Sequence, residues 1–524
     1  MDKITEHRID AACDDFVAAI DPVKACDLAS SCHPNKAACS ILGEWKRGSY
    51  NVCIPVVFKN EAEKWMIRIP LLPRLAFPEE KMRSEIATMK YITEKTTIPI
   101  PRIHHYSITS DNILGLPFLI IEYIEGNTMH SIKFTSLERK KRRRLYAQIS
   151  DIYIQLYRQQ FDRIGALTLT EDGNWIFASN RPLTIDINEQ EISGLDFCRF
   201  LAPDQTFQST IDYVYMIVRL MFNDFYRGRD SILNESDAQL YLYSIYACQG
   251  ILMEWVQPET NNGPFVLMHG DLRPPNIIID DDLNIISVLD WEWSHTVPVQ
   301  MFVPPSWLTN QDVVQISDKI SSVGYLEAVY TFTFELGWQE HAFHNPKRLL
   351  IRDLPLSKYW ERLSLIQDYL LPLGLLAPHC FSNIYWKVLD SHYYGQNGNK
   401  ERVRAFFELD IRKPNLQAVR NKVEEYEKYK RELQELGIEP RTIVPATTAE
   451  ELSWLAKAFK ERETKNAEVM RDVFDSQQEP QAQHPACTVL DTSTTKELLT
   501  AGTWLIIAFS AVSAIRIISG RSIK

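Results

Sequence analysis

The sequence of 524 residues predicts an α+β protein with two lobes, the first small and rich in strands and the second larger and helical. Short β-branched runs surround one segment of helical periodicity between residues 38 and 130, which is the pattern of a small sheet with a helix. Segments of helical periodicity dominate from 131 to 395. A charged stretch at 396–472 carries opposite charges four residues apart and predicts a helical extension.

The elements of the small lobe follow from periodicity and turn residues. Residues 1–37 predict an N-terminal helical extension, because apolar and acidic residues alternate at helical spacing. The runs "RGSYNVCIPVVF" and "WMIRIPLL" are separated by a charged turn and predict a hairpin. The segment "EEKMRSEIATMKYITEK" predicts a helix, and "PFLIIEYIEG" predicts a strand that ends at Gly126.

The larger lobe is predicted from three long segments with apolar residues at helical spacing. These are "RKKRRRLYAQISDIYIQLYRQQF", "TIDYVYMIVRLMFNDFY" and "AQLYLYSIYACQGILMEWV". The basic run at 138–144 is interpreted as the solvated first turn of a helix, because aromatic residues do not interleave with it.

The end of the sequence changes composition twice. Residues 473–496 are polar without periodicity and predict a disordered linker before a hydrophobic tail at 497–524. Its uncharged part, 498–515, would span roughly 27 Å as a helix, close to the hydrocarbon core of about 30 Å. The tail is compatible with a membrane anchor, and also with an amphipathic or buried terminal helix.

Composition excludes several classes of function. The net charge of -11 opposes non-specific nucleic-acid binding, which needs clustered positive charge. The nine cysteines form no CxxC pair and are interpreted as free thiols of a reducing compartment. The start "MDKITEHRIDAACDDF" has neither an apolar signal core nor an Arg-rich transit composition. We therefore expect a cytoplasmic protein, with tail anchoring to a membrane as the open addition.

The stretch "MHGDLRPPNIII" carries the strongest chemical signal. Asp271 and Asn276 precede an apolar run, and Asp290 ends the next run in "IISVLDWEW", so a strand, a turn and a strand bring them together. Mg²⁺ accepts one or two protein oxygens plus substrate phosphates, which suits Asn276 and Asp290. A further carboxylate, Asp271, can orient or deprotonate an attacking hydroxyl. The pattern predicts a phosphoryl-transfer site.

These motifs resemble the aminoglycoside phosphotransferase and choline-kinase group, in particular its fungal phosphotransferase-enzyme branch. The landmarks occur in order over about residues 38 to 390: "GSYNVC", "WMIRIP", "RSEIATMKYI", "TTIPIPRIHHY", "PFLIIEYIEG", "FDRIGAL", "HGDLRPPN", "LDWEWS" and "PPSWL". The resemblance implies a protein-kinase-like fold, ATP and Mg²⁺ as cofactors, and transfer of the γ-phosphate to a hydroxyl of a small-molecule acceptor. A P-loop is not expected, because "GEWKRGS" lacks the lysine that a Walker A sequence requires directly after its second glycine.

The resemblance assigns roles in the loop and at the metal. Asp271 would be the catalytic aspartate facing the acceptor hydroxyl, and Asn276 and Asp290 the magnesium ligands. His269 would fix the loop and carry no proton. Arg273 would neutralise charge near the transferring phosphate.

It also assigns the nucleotide site. Gly48, Ser49 and Tyr50 would form the turn that covers the phosphates, and the backbone from Glu122 to Ile124 would pair with adenine. Arg68 stands where the family usually has a lysine for the α- and β-phosphates, and would pair with Glu85 on the following helix.

Two other functions stay open. A nucleotide-binding pseudokinase or scaffold is favoured by Arg68 and by the scarcity of glycine in the nucleotide turn, and is opposed by the intact Asp271, Asn276 and Asp290. Protein kinase activity is disfavoured, because no APE motif follows Asp290. The sequence leaves the acceptor and the oligomeric state open.

Overall fold

The computed structural model describes residues 1–59, 63–343, 354–363, 365–395 and 398–440. The described residues belong to one compact unit that extends from Met1 to Pro440. The second part of the charged extension, the predicted linker at 473–496 and the predicted tail at 497–524 lie outside them.

A small lobe built around a sheet is followed by a larger, mainly helical lobe, and the predicted α+β class with two lobes is confirmed. The helices are α1 (Lys3–Ala18), α2 (Pro22–Cys32), α3 (Pro78–Lys95), α4 (Arg139–Tyr157), α5 (Ile185–Ile192), α6 (Thr210–Arg227), α7 (Glu235–Trp255), α8 (Val313–Ile316), α9 (Lys319–Phe343), α10 (Leu356–Trp360), α11 (Ile366–Leu376), α12 (Phe381–Ile384), α13 (Asp390–Tyr394), α14 (Asn399–Glu408) and α15 (Lys413–Leu436). The strands are β1 (Cys39–Ile41), β2 (Lys46–Arg47), β3 (Asn51–Phe58), β4 (Lys64–Pro70), β5 (Ile103–Ser107), β6 (Phe118–Glu122), β7 (Asn127–Thr128), β8 (Gln160–Phe161), β9 (Leu167–Leu169), β10 (Trp175–Phe177), β11 (Phe265–Met268), β12 (Ile277–Ile279), β13 (Ile285–Val288) and β14 (His295–Pro298).

The small lobe is an antiparallel sheet in the order β1-β3-β4-β6-β5, with β2 paired to β3. The predicted hairpin is β3 with β4, and its register places Cys53 opposite Arg68. Helix α3 begins with Pro78 and has Glu79 and Glu80 in its first turn, which suits the positive end of a helix.

Helices α1 and α2 cover one face of this sheet, so residues 1–37 are part of the small lobe's core. Cys13 of α1 and Leu28 of α2 are buried in the same apolar cluster as alternate residues of β3. Burial of such side chains supplies most of the stability of a packed layer. The prediction of a helical segment is confirmed, but its description as an extension understates its packing.

The larger lobe is helical and contains three small antiparallel sheets among the described residues, one of β8, β11 and β14, one of β7, β12 and β13, and one of β9 and β10. Helices α4, α6, α7 and α9 each contribute buried apolar residues to its core. Helix α15, the described part of the charged extension, buries Val419, Tyr429 and Leu433 and keeps its other faces charged and exposed. The predicted amphipathic surface helix is confirmed there.

Candidate active site

Two loops lie side by side between the small sheets of the larger lobe. Loop 269–276 connects β11 to β12, and loop 289–294 connects β13 to β14. Strand β11 pairs with β14, and β12 pairs with β13, so both loops start and end on paired strands. The Leu289 amide donates to the Asn276 carbonyl at 2.8 Å. The strand–turn–strand pattern read from the sequence therefore places Asn276 and Asp290 at the same end of one ribbon.

Gly270 is required where the two loops approach each other. Its φ is +82°, and a Cβ added there would lie 2.1 Å from the backbone oxygen of Trp293. Glycine adopts this left-handed conformation without a steric penalty, and it leaves room for the second loop. The Ser294 hydroxyl also donates to the His269 carbonyl at 3.0 Å, which fixes the spacing between the loops.

His269 is buried, and hydrogen bonds occupy both ring nitrogens. Nε2 lies 2.8 Å from the Leu289 carbonyl, and Nδ1 lies 3.3 Å from the Asp271 amide. The carbonyl accepts from Nε2 and the amide donates to Nδ1, which defines the neutral ring. Burial lowers the pKa of His269 to about 4. These contacts join the two loops and agree with the positioning role that the resemblance implies.

Asp271 is held by its two neighbours in the loop. Arg273 Nε lies 2.9 Å from Oδ1 of Asp271, and the Asn276 amide nitrogen donates to Oδ2 at 3.0 Å. Burial raises the pKa of Asp271, and the positive charge of Arg273 offsets part of that rise. A carboxylate with a raised pKa and a partly exposed edge is suited to accept a proton from a hydroxyl.

Asn276 and Asp290 present oxygen atoms at the end of the ribbon. The Asn276 nitrogen donates to both the carbonyl and the carboxylate of Asp271, so the amide oxygen is the atom left for a cation. Asp290 adopts a left-handed conformation with φ of 65°, which costs energy for a residue other than glycine and turns the chain sharply after β13. About a third of its side chain is exposed.

A group of five charged side chains, which we call the charge cluster, lies between the sheet and the loops. Its members are Arg68, Lys81, Glu85, Asp290 and Glu292. Arg68 contacts Asp290 directly, and its Nη2 lies 3.2 Å from Glu85 and 3.6 Å from Glu292. The predicted pair of Arg68 and Glu85 is therefore present, and Asp290 joins it.

The pKa is shifted in opposite directions for two carboxylates of the charge cluster, Asp290 and Glu85. Burial alone would raise the pKa of Asp290, but Arg68 and Lys81 outweigh it and hold this pKa below the usual aspartate value. Burial raises the pKa of Glu85 even with the same two cations nearby. Asp290 is thus kept ionised, as a metal ligand must be.

Lys81 and Glu292 are members of the cluster that received no role from the sequence, although Glu292 lies in the "LDWEWS" motif. Lys81 is fully buried and contacts Glu292, and the Asn51 amide donates to the same carboxylate at 2.7 Å. One signal for Lys81 was available, because it stands four residues before Glu85 and therefore shares its helix face. Its burial depends on packing that periodicity does not reveal.

The predicted nucleotide turn is the connection from β2 to β3. The Gly48 amide donates to the Asn51 carbonyl at 2.8 Å, and Gly48 and Ser49 are exposed. The Tyr50 hydroxyl donates to Glu189 of α5 at 2.9 Å, and its ring packs edge-on against Trp293 at 4.9 Å. Tyr50 therefore ties this turn to the larger lobe beside loop 289–294.

The predicted adenine-pairing segment follows the end of β6. The Glu122 amide donates to the Arg102 carbonyl at 2.9 Å, and the Tyr123 amide donates to the Lys64 carbonyl at 3.2 Å. These two amides are used within the sheet. Among the described residues, the Ile124 backbone amide has no hydrogen-bond partner of this kind.

The donor atoms fit a divalent cation of the magnesium type. Carboxylate oxygens of Glu85, Asp290 and Glu292 all lie within 4.8 Å of one another. All three carboxylates contact Arg68 or Lys81, and Asp290 is the most exposed of them, with about a third of its side chain in contact with solvent. Hard oxygen donors of this kind are what Mg²⁺ requires.

The sheet lobe, the helical lobe and the paired loops form the two-lobed, kinase-like fold that the sequence predicts. Within the chain, residues 221–299 match the model of the Phosphotransferase enzyme family, and the family recognised from the motifs is confirmed. The matched residues include the whole of both loops.

Several known proteins are similar to parts of the chain. A subtelomeric hrmA-associated cluster protein of Aspergillus fumigatus is 27% identical over 137 residues, which is 26% of this chain and 26% of that protein. The mitochondrial protein named altered inheritance of mitochondria protein 9 from Zygosaccharomyces rouxii is 30% identical over 121 residues, or 22% of this chain and 20% of that protein. The similarity thus spans about a quarter or less of these curated relatives. A putative aminoglycoside phosphotransferase from Ralstonia eutropha is 12% identical in structural superposition, covering 78% of this chain and 99% of that one, with a TM-score of 0.38.

The prediction of a cytoplasmic protein, with tail anchoring as an open addition, is contradicted by the relatives. Several of them, including those from Zygosaccharomyces rouxii and Clavispora lusitaniae, are named as mitochondrial proteins. Among the described residues, no helix combines the length and the apolar character needed to cross a bilayer. The segment 498–515, on which the anchor was predicted, lies outside the described residues.

Proposed function

We propose that this protein is an ATP- and Mg²⁺-dependent phosphotransferase that transfers the γ-phosphate to a hydroxyl of a small molecule. The observation that carries the proposal is the pairing of loops 269–276 and 289–294. It gathers Asp271, Asn276 and Asp290 beneath the sheet that holds Arg68. The division into one proton acceptor and two oxygen donors is what phosphoryl transfer needs.

Asn276 and Asp290 are the residues that would hold magnesium, and Arg68 would meet the phosphates. When bound, ATP would supply the phosphoryl group, and Mg²⁺ would neutralise the negative charge of the phosphates. Arg68 presents a planar guanidinium that is kept charged, because Glu85 and Asp290 raise its pKa against the effect of burial. The exposed turn of Gly48 and Ser49 would close over the phosphates.

Asp271 would position the acceptor hydroxyl and take its proton. Arg273 and Asn276 hold the carboxylate in one orientation, so its conformation is set before an acceptor arrives. Because burial raises the pKa of Asp271, the ionised form is a better proton acceptor than an exposed aspartate.

The acceptor would bind beside the segment "MFVPPSWLTNQD", which follows β14. Trp307 in this segment donates its indole N–H to the Leu272 carbonyl at 2.6 Å, so the segment touches the catalytic loop next to Asp271. Its apolar and aromatic composition does not require an aminoglycoside as the acceptor.

Replacing Asp290 with alanine tests the cofactor assignment. We expect Asp290→Ala to abolish Mg²⁺-dependent ATP binding in calorimetry, because it removes one of the two protein oxygens offered to the metal. Asp281→Ala is a matched control, since Asp281 is an exposed aspartate in the turn of the same ribbon. Unchanged Mg²⁺-ATP affinity in Asp290→Ala would reject the metal assignment.

The acceptor can be identified from its phosphorylated product. The protein is incubated with Mg²⁺-ATP and a small-molecule extract, and mass spectrometry is used to find compounds that gain one phosphate. The Asp271→Asn variant in the same extract separates products of this enzyme from those of contaminants. A set of phosphorylated products that is the same with both proteins would contradict the proposal.

A nucleotide-binding scaffold without catalysis is the second candidate, and the contact between Arg68 and Asp290 favours it. This contact occupies one oxygen of the predicted metal ligand and the residue that should meet the phosphates. The two candidates differ in one measurement. ATP binding without any phosphorylated product, under conditions where Mg²⁺ is saturating, would select the scaffold.

A further inference from the structure

A basic run and an exposed aromatic stripe lie next to each other on the larger lobe, away from the two catalytic loops. We propose that together they form a docking surface for an anionic lipid bilayer, against which the protein lies without crossing it. We call it the α4–α9 surface, formed by residues 139–144 of α4 and by Tyr330, Phe334 and Trp338 of α9. This inference does not depend on the proposed function.

The first half of the surface is six consecutive basic residues, Arg139 to Arg144, at the start of α4. Arg143 pairs with Glu335 and Arg144 hydrogen-bonds Asn284. For the side chains of the other four, the described part of the chain provides no ion pair or hydrogen bond. Positive charges at the first turns of a helix oppose its dipole, so this arrangement does not serve helix stability.

The second half is a row of large aromatic side chains along α9. Tyr330, Phe334 and Trp338 are 49%, 52% and 60% exposed, and they are spaced four residues apart on one helix face. The opposite face packs into the core, through Tyr325, Val329, Phe332 and Leu336. Three large aromatic residues in line on a surface helix expose apolar area that water does not favour.

One ion pair joins the two halves. Glu335, which accepts from Arg143, is adjacent in sequence to Phe334 and lies one helical turn before Trp338. Helices α4 and α9 pack against each other. The ion pair of Arg143 and Glu335 therefore joins the basic run to the helix that carries the aromatic row.

Charge complementarity selects an anionic bilayer as the occupant. Basic residues are attracted to acidic headgroups, and Tyr, Trp and Phe are favoured at the depth where headgroups meet acyl chains. The whole chain has a net charge of -11, so this attraction is a local property of the surface. Single-stranded nucleic acid would require rings interleaved with the cations along one groove, whereas here the rings lie on α9 and the cations on α4.

Vesicle sedimentation of the full chain tests the proposal. We expect binding to vesicles of phosphatidylcholine with phosphatidylglycerol, weakening as salt is raised, and little binding to phosphatidylcholine alone. Lys140→Glu combined with Lys141→Glu should weaken binding roughly 30-fold or more, since each basic residue at an anionic leaflet contributes roughly fivefold. Glutamate at a helix start also favours folding, so this variant stays folded.

The aromatic row is tested separately with Phe334→Gln combined with Trp338→Gln, for which we expect roughly tenfold weaker binding or more. Two matched controls change equally exposed side chains elsewhere: Lys428→Glu with Arg431→Glu on α15, and Met253→Gln with Leu436→Gln. Both controls should bind vesicles as the unmodified chain does.

Four outcomes would overturn the proposal. These are equal binding to neutral and anionic vesicles, vesicle binding unchanged in either α4–α9 variant, binding of an RNA or DNA oligonucleotide without vesicle binding, and self-association that Phe334→Gln with Trp338→Gln abolishes. The first two would assign any lipid contact to another part of the chain. The last two would assign the surface to nucleic acid or to a second copy.

Discussion

Loop 269–276 and the charge cluster belong to the same candidate site but are built in different ways. The loop from His269 to Asn276 is held by hydrogen bonds that run mostly between backbone and side chain, and part of Asp271 is exposed. The charge cluster is buried except for part of Asp290, and its members contact one another chiefly as ion pairs between side chains.

The difference shows how each region tolerates change. A hydrogen-bonded loop on a strand ribbon keeps its shape when one side-chain group is exchanged for a similar one. A buried ion-pair group does not, because removal of one partner leaves an uncompensated charge in a medium of low dielectric. We therefore expect substitutions in the loop to act on the reaction and substitutions in the cluster to act first on stability.

The largest expected effect is on the loop side of this comparison. Asp271→Asn should lower turnover by roughly 10²–10⁴-fold, because it removes the group that takes the acceptor proton while keeping the side chain's shape. The measurement is the rate of phosphate transfer to the acceptor identified from the extract. ATP affinity and the free energy of unfolding should stay close to those of the unmodified protein.

Asp281→Asn is the control for this variant, since it makes the same chemical change on the exposed turn of the ribbon. It should leave the rate unchanged. If Asp271→Asn turned over as fast as the control, Asp271 would have no part in the reaction, and the loop would have to be considered structural.

The second largest effect is expected for a substitution in the charge cluster, and it is a loss of stability. Lys81→Met should lower the free energy of unfolding by about 3–5 kcal/mol, because it removes the nearer cation of the buried Glu292 and leaves only the longer contact with Arg68, at 3.6 Å. Lys81 and Glu292 are both almost fully buried, so solvent cannot replace the lost charge. Urea unfolding followed by circular dichroism measures this loss.

A double substitution sharpens that prediction. Lys81→Met combined with Glu292→Gln removes both charges and should recover most of the stability lost in Lys81→Met, as buried pairs replaced together cost little. The glutamine can still accept from the Asn51 amide. A double variant no more stable than Lys81→Met would show that Lys81 acts through packing and not through charge.

The catalytic loop could be predicted because its information is local. Asp271, Asn276 and Asp290 lie on two neighbouring runs joined by one turn, and the spacing of the turn fixes which ends meet. The pairing of β3 with β4 was predictable for the same reason. In both places the partner segments are adjacent in the sequence.

The charge cluster could not be predicted in full, because its members come from segments far apart. Lys81 stands in the polar-looking run "EEKMRSE", and it is buried only because loop 289–294 covers that face of α3. Helices α1 and α2 were expected to be peripheral for a similar reason. Their apolar residues match a sheet face that forms only when β3 and β4 pair.

The smallest expected effect concerns the pKa of Asp271 and tests whether the loop is electrostatically independent of the cluster. Asp271 must be ionised to accept a proton, so activity falls as pH is lowered through its raised pKa. Arg273→Gln removes a charge that lowers this pKa, and the acid limb of kcat/KM should move to higher pH. The move should be small, because half of the Arg273 side chain is exposed and solvent screens its charge. Arg273→Lys keeps the charge and should leave the limb near its original position. An acid limb that is the same in all three proteins would mean that the cluster carboxylates, and not Asp271, set the pH dependence.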